Sequence, residues 1–240
     1  MIDFHSHILP NIDDGSRNFE ESVKLIEEAS KVGITGIVST SHYLQGYYEC
    51  VQEDRIDLIE QLKEQAKSKI KSDIPELYLG SEIYATEEII ELIKKRKAST
   101  INGTRYVLFE FPMNAKPLFA KDTVYKMIEN GYVPVVAHPE RYSYVKEDIT
   151  FVKELKDMGA LFQSNYGSAI GMYGIEAKRT LKKLLKNDLI SFLGSDVHRA
   201  GQVYPEIPRI IKKLGKWISS EKLEELTILN AQKVLNNEFI

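Results

Sequence analysis

Short apolar runs alternate, along the whole 240-residue chain, with longer stretches in which apolar residues recur every three or four positions. The short runs predict strands at residues 2–4, 36–40, 77–81, 106–110, 133–137, 161–164 and 190–194. The longer stretches, 18–32, 53–69, 86–95, 121–130, 147–158 and 175–186, predict amphipathic helices that connect consecutive strands. In the first of these, Phe19, Val23, Ile26, Ala29 and Ser30 share one face, and Glu20, Glu21, Lys24 and Glu27 share the other. Gly33, Gly131 and Gly159 stand where a helix should stop and a strand begin. The tail 207–236 reads as two helices broken at 215–219, with Trp217 packed on the outside of the domain.

This β/α alternation predicts an α/β fold built as one domain over residues 1–240, because barrels of this type commonly run to about 250 residues as single units. Seven parallel strands can form an open doubly wound sheet or a closed barrel. The positions of the polar residues decide between the two. Candidate ligands follow strands one, two, three, four, five and seven. Every strand end opens onto one mouth only in a barrel, whereas an open sheet gathers residues only near a switch point.

Charge and composition remove several classes of function. With 32 basic and 35 acidic residues and a formal net charge of -3, the chain has no positive excess with which to neutralise a nucleic-acid backbone. No apolar run approaches the roughly 20 residues that span a bilayer, and the start M-I-D-F-H lacks the basic-then-apolar pattern of a secretion signal. A cytoplasmic protein without membrane insertion is expected, in keeping with a single cysteine, Cys50, which cannot form an internal disulfide.

All five histidines end apolar runs: His5 and His7 in D-F-H-S-H, His42 in S-T-S-H-Y, His138 in V-V-A-H-P and His198 in G-S-D-V-H. Imidazole is the commonest transition-metal ligand, so this placement points to a metal site. His5 and His7 are two apart and on a regular strand would face the same side. Asp196 and His198 repeat that spacing near the other end of the chain. Glu82 and Glu110 also end apolar runs, where a bare carboxylate is too costly to bury and must be paired or metal-bound. In N-I-D-D-G-S, Asp14 is the favoured ligand, and Asp13 is assigned to the turn or to the support of a ligand. Such a set exceeds the needs of one ion and implies two or three. Mixed nitrogen and oxygen donors without thiolate suit manganese, iron or zinc. Ions about 3.5 to 4 Å apart can share a hydroxide and clamp both oxygens of an in-line phosphoryl transfer, which points to phosphoester hydrolysis.

The ordered motifs H-S-H-I-L-P-N-I-D-D-G-S, S-T-S-H-Y, G-S-E-I-Y, L-F-E-F-P, A-H-P-E-R-Y and G-S-D-V-H resemble the polymerase and histidinol phosphatase (PHP) superfamily. Within it, the chain looks most like the bacterial manganese-dependent protein tyrosine phosphatases of capsule and exopolysaccharide loci. The resemblance spans almost the full length. It implies a distorted, TIM-like (β/α)7 barrel with a trinuclear metal centre at the C-terminal ends of the strands, and a phosphotyrosine protein as substrate, the tail of a bacterial tyrosine kinase. It also implies that His5, His7, Glu82 and Asp196 hold one ion, that Glu82 bridges to a second held by Glu110 and His138, and that Asp14, His42 and His198 hold a third. Arg141 matches an arginine used near the substrate phosphate, where a guanidinium can fork two phosphate oxygens. The family's further arginine after D-x-H is missing, since Val203 and Tyr204 occupy that region, and Arg199 is its expected substitute.

Other readings compete. A cysteine-based phosphatase needs an arginine six residues after its nucleophile, and the sixth residue after Cys50 is Ile56. An amidohydrolase would show a histidine on the sixth strand, where this chain has Gln163, Ser164 and Asn165. A small-molecule phosphatase of the same superfamily, acting on histidinol phosphate or a related ester, remains the alternative enzyme, and a purely structural metal site is the non-catalytic one. Tyr43, Tyr47, Tyr48, Tyr84, Tyr142 and Tyr166 crowd the same loops, and each is expected to serve mainly in packing.

Overall fold

A computed structural model describes residues 1–240. Nine parallel strands, β1 (Ile2–Ser6), β2 (Gly36–Ser39), β3 (His42–Tyr43), β4 (Glu76–Leu79), β5 (Glu82–Tyr84), β6 (Tyr106–Glu110), β7 (Val133–Ala137), β8 (Leu161–Asn165) and β9 (Phe192–Gly194), follow one another around a curled sheet. Seven of them fall on the predicted runs, whereas β3 and β5 lie just beyond the predicted ends of the runs 36–40 and 77–81, where the chain bends from a lower half and pairs again as an upper one. Thr40 and Ser41 interrupt β2/β3, and Gly80 and Ser81 interrupt β4/β5. The lower halves form the sheet β1-β2-β4, and the upper halves lead the sheet β3-β5-β6-β7-β8-β9. The backbone carries pairing across each bend, with the Gly80 N–H donating to Ser39 O (2.8 Å) and the Glu82 N–H to Thr40 O (2.8 Å).

The first and last strands meet. The Asp196 N–H donates to His5 O (2.7 Å), the His7 N–H to Val197 O (3.0 Å), and Ser6 bridges in parallel to Val197. Lower on this seam, the buried Asp3 carboxylate takes the place of a ladder partner. It accepts from the Ser195 N–H (2.7 Å) and from the Tyr204 hydroxyl (2.8 Å). A side chain thus satisfies backbone groups that the distorted barrel would otherwise leave unpaired.

Each strand of an α/β barrel is buried on both faces, which is why its sequence reads as a nearly continuous apolar run. The inner face forms a small cluster that includes Phe4, Val38, Tyr106, Leu108, Val135, Ala137 and Phe192. Phe4 and Phe192 stack there with ring centroids 3.9 Å apart, from the first and last strands. The outer face carries Ile37, Val107, Phe109, Val136, Phe162 and Leu193 into a larger cluster under the helices.

Those helices are α1 (Phe19–Lys31), α2 (Gln52–Lys69), α3 (Ile89–Lys94), α4 (Ala120–Glu129), α5 (Ser143–Glu147), α6 (Thr150–Asp157), α7 (Gly174–Lys186), α8 (Ile207–Leu214), α9 (Ser220–Glu224) and α10 (Asn230–Leu235). Asn18 caps α1 by accepting from the Glu21 N–H (2.9 Å), so the predicted helix begins one residue later than its cap. The helix predicted over 147–158 starts later, at Thr150, and Glu147 closes a separate short helix, α5, that the pattern did not predict. Asp148 adopts an extended conformation, and its carboxylate accepts from the N–H and hydroxyl of Thr150 to start α6. The tail breaks after Leu214 as predicted, and α9 runs through one π turn, Glu225–Leu229, into α10. α10 adds Ala231 and Val234 to the inner cluster, and Trp217 packs half-buried on the larger one. No helix is long and apolar enough to cross a membrane.

Candidate metal centre

The upper ends of the strands deliver nine nitrogen- and oxygen-bearing side chains to one depression. His5 and His7 come from β1 and the residue just beyond it, and their aim depends on an irregularity. The β1–β2 register shifts between Asp3 and Ser6, so the pair does not sit on the regular strand that its spacing predicts. A bulge of this kind re-aims a side chain: Phe4 stays in the inner cluster while His5 turns to the mouth. Two glycines make room. A Cβ on Gly194 would lie 2.6 Å from His5 Cβ, and one on Gly15 would lie 2.4 Å from His7 O.

At the floor, His5 Nε2 lies 3.0 Å from His7 Nε2, 3.1 Å from Glu82 Oε2 and 3.5 Å from Asp196 Oδ1. His7 Nε2 is 3.3 Å from each of the same two carboxylate oxygens. All four residues are buried. The Nδ1 atoms face outward to acceptors, His5 to Gln163 Oε1 and His7 to Asp13 Oδ2, each at 2.8 Å. These bonds place the ring protons on Nδ1 and leave two Nε2 lone pairs opposed among carboxylate oxygens. Positive charge is required between them. Burial opposes it, yet Asp13, Asp196 and Glu82 hold the His7 imidazole well above its usual range.

A second group adjoins the first through Glu82. His138 Nε2 is 2.8 Å from Glu82 Oε1 and 3.8 Å from Glu110 Oε2, while His42 Nδ1 is 3.2 Å from Glu82 Oε2 and 3.5 Å from Glu110 Oε1. Burial first, and then repulsion from Glu82 and Asp196, pushes the Glu110 carboxyl up to about 9. Burial likewise drives His42 down to about 4, leaving its ring neutral with one nitrogen lone pair free. The third group is the most open. His198 Nε2 and His42 Nε2 lie 3.2 Å and 3.7 Å from Asp14 Oδ1, and half of the Asp14 side chain is exposed. Ligand-bearing atoms within 4.8 Å of one another define three sets: His5, His7, Glu82 and Asp196; His42, Glu82 and Glu110; His7, Asp14, His42 and His198. His42 thus faces two sets, not only the one expected from the sequence.

Two of these residues hold left-handed backbone conformations, His138 with φ 32° and Asp196 with φ 52°. Such strain in non-glycine residues persists where surrounding structure enforces it, and it concentrates at functional sites. Asp196 is enforced from behind: its Oδ2 accepts from Arg141 Nη1 and Asn165 Nδ2, each at 2.6 Å. The donor set fits divalent cations. It offers opposed lone pairs, carboxylates crowded beyond their mutual repulsion, and oriented imidazoles, with no thiolate.

Arg141 also lies over the Tyr173 ring, 4.6 Å from its centroid. Arg199, expected to clamp phosphate, lies against two of the loops that carry candidate ligands. Its Nη1 donates to the carbonyls of Gly15 and His198, fastening the Asp13–Asp14 loop to the His198 loop. Asp13 accepts from the His7 ring and from the His42 N–H (2.8 Å), and so orients two of the candidate ligands. Tyr43, Tyr142 and Tyr166 are buried packing residues, Tyr47 is 80% exposed, and Tyr48 stacks over His42 at 6.0 Å. Cys50 lies outside the ligand sets, and burial raises its thiol, the reverse of what a nucleophile needs.

Sequence reasoning missed Gln163, Asn165 and Tyr173. It also missed Arg55, a fully buried arginine whose donors all bind backbone carbonyls, those of Cys50 (2.8 Å), Ser41 (2.8 Å) and His42 (2.7 Å). Gln163 and Asn165 did carry a signal, since the apolar start L-F of their strand gives way to the polar run Q-S-N. Tyr173 and Arg55 carried none.

Comparison with known proteins agrees over the full chain. The sequence is 34% identical over 241 residues to the tyrosine-protein phosphatase YwqE of Bacillus subtilis, covering all of this chain and 93% of the relative. It is 31% identical over 245 residues to the tyrosine-protein phosphatase CpsB of Streptococcus agalactiae, covering both chains completely. Among solved structures, one from the work on YwqE of Bacillus subtilis and CpsB of Streptococcus pneumoniae, described as unique metal-dependent tyrosine phosphatases, superposes with a TM-score of 0.93. Its identity is 32%, and the match covers 100% of this chain and 96% of that one. A phosphotriesterase homology protein of Escherichia coli shares the fold alone, with a TM-score of 0.62 at 11% identity and 98% of each chain covered. The model of the capsular polysaccharide synthesis family CpsB/CapC matches residues 1–236, and the chain belongs to that family.

Proposed function

We propose that this chain is a metal-dependent phosphoric monoester hydrolase that removes phosphate from phosphotyrosine in a protein, and that it uses two or three ions, manganese first, with iron or zinc as alternatives. The observation that carries this reading is the convergence of eight candidate ligand side chains in three adjoining sets about the opposed Nε2 atoms of His5 and His7, with His138 against Glu82. Full-length identity to named tyrosine phosphatases supports the substrate class.

In this reading His5, His7, Glu82 and Asp196 hold the deepest ion. Glu82 and Glu110 hold a second with His138 or His42, and Asp14, His42 and His198 hold the outermost. Bound ions supply charge for the phosphoryl oxygens and acidify a water. The chain's own residues do the rest. Gln163 and Asp13 fix the two imidazoles, while Asn165 and Arg141 hold Asp196. Arg141 commits Nη1 to that carboxylate, and its remaining donors are available to a phosphate oxygen, with Tyr173 stacked beneath to keep the guanidinium plane in place. Tyr48, beside His42, offers a flat face to an aryl ring.

The physiological substrate in this proposal is the tyrosine-rich tail of a bacterial tyrosine kinase that governs capsule or exopolysaccharide synthesis. Phosphotyrosine made from ATP places the enzyme's work in the cytoplasm. The test compares kcat/KM of the manganese-loaded protein on phosphotyrosine peptides and on histidinol phosphate. Preference for the peptides is expected, and preference for histidinol phosphate overturns the substrate assignment.

A further inference from the structure

A cleft of about 240 Å³ lies between α7 and α8, lined by Ala169, Ile170, Lys178, Arg209, Lys212, Lys213 and Lys216. Five of its seven lining residues are cationic and none is acidic, in a chain whose net charge is -3. Among the five, only Arg209 has an acidic partner, Glu206 at 3.1 Å; Lys178, Lys212, Lys213 and Lys216 have none within ion-pair distance. The lysines are also held. The Lys178 stem runs over Gly171, and the Trp217 ring lies between Lys213 at 5.7 Å and Lys182 of α7 at 5.6 Å. Like charges brought together repel one another, and a polyanion relieves that repulsion.

The cleft and the metal centre share one loop. Ile170 lines the cleft and Tyr173 lies against Arg141; three residues span at most about 11 Å. Between and beside them, Met172 and Ile175 are 44% and 57% exposed, which gives the lip an apolar crest. We infer that the cleft is an anion-binding exosite for an acidic segment of the same peptide whose phosphotyrosine enters the metal centre. An extended peptide advances about 3.3 Å per residue, so carboxylates or phosphates roughly four to six residues from the phosphotyrosine cross the lip and reach the lysines. The inference rests on the protein tyrosine phosphatase reading above and adds to it a charge preference at a distance from the reacting group.

The test uses the full, manganese-loaded chain and two phosphotyrosine peptides of equal length, one with aspartates four to six residues from the phosphotyrosine and one with serines there. p-Nitrophenyl phosphate, too small to reach the cleft, sets the reference for every variant. The acidic peptide is expected to have a KM about three- to tenfold lower at low salt, with similar kcat, and the difference should shrink as salt is raised. The double variant Lys212→Gln, Lys213→Gln, and separately Lys178→Gln, Arg209→Gln, should abolish the difference while the neutral peptide keeps its ratio to the reference. Equal KM for the two peptides in the unaltered chain overturns the exosite, as does a difference that survives in both variants. Lysine-dependent binding to phosphatidylglycerol vesicles with no discrimination between peptides assigns the cleft to a membrane surface and overturns it too. Hydrolysis of the reference but of neither peptide overturns the protein-substrate reading itself, and this inference with it.

Discussion

His5 Nε2 and His7 Nε2 stand 3.0 Å apart with both Nδ1 atoms tied to acceptors, an arrangement that calls for positive charge between them, a proton in the metal-free protein or a metal ion in its place. Removing one ligand should therefore empty the floor of the centre without unfolding the protein, because the apolar clusters lie below and outside it. His5→Ala and Asp196→Ala are expected to lower turnover by orders of magnitude while the far-ultraviolet circular dichroism stays near that of the unaltered chain. Chelation should do the same, and manganese should restore activity. Cys50→Ser should leave turnover intact, and a collapse in that variant would revive a thiolate mechanism.

Gln163 tests how far the outer partners matter. It accepts from His5 Nδ1, and its loss frees the ring to turn or to change tautomer. Substitutions of such partners typically weaken metal binding by about 10- to 100-fold, and Gln163→Leu should fall in that range by competition with a fluorescent chelator. An affinity equal to that of the unaltered protein would show that His5 is oriented by other means.

Glu110 predicts a proton. In the metal-free protein its carboxyl stays protonated from near its ordinary 4.5 up to about 9, so an arriving cation must displace that proton. Metal affinity should climb with pH across this window, and Glu110→Gln should release about one proton fewer in calorimetry repeated in buffers of different ionisation enthalpy. The same shift sets a stability trend. A raised folded-state pKa gives stability that is full below the unfolded value and lost as pH rises through about 9, and the raised imidazoles of His5 and His7 act in the same sense. Below about pH 6.5 the lowered His42 works against this trend, so the metal-free protein should melt at progressively lower temperature from pH 7 towards pH 9, more steeply than the loaded protein.

Gly194 sets the spacing of the first and last strands. A methyl group there meets His5 Cβ at 2.6 Å and His5 N at 2.8 Å, so β1 or β9 must shift. Gly194→Ala is expected to cost about 1–3 kcal/mol in denaturant unfolding and to weaken metal binding as well. Full metal affinity in a destabilised variant would show that the strain relaxes away from the histidines.

The elements were legible where one physical signal governed them. Residues 106–110 and 133–137 were read at their observed bounds, because a strand buried on both faces is apolar throughout. The bends at Thr40–Ser41 and Gly80–Ser81 were not legible. They arise from how neighbouring strands close the barrel, and no local propensity encodes that. The helix break at Asp148 was encoded, as an aspartate two residues ahead of a threonine, but the apolar periodicity on both sides hid it. At the site, the side chains that the fold brings together were visible because imidazoles and carboxylates at strand ends have few other uses. Arg55 was hidden by its context, a helix rich in charge in which nothing marks the one arginine that turns inward.

The metal centre draws His5 and His7 from β1 and Asp196 and His198 from the residues following β9, and it forms only where those strands meet. Residues 5 and 196 are therefore separated by nearly two hundred residues of chain that must be in place before the two groups face each other. A chain cut before Asp196 keeps α1 to α7 and lacks two of the residues proposed to hold metal, so activity is expected to report completion of the ring.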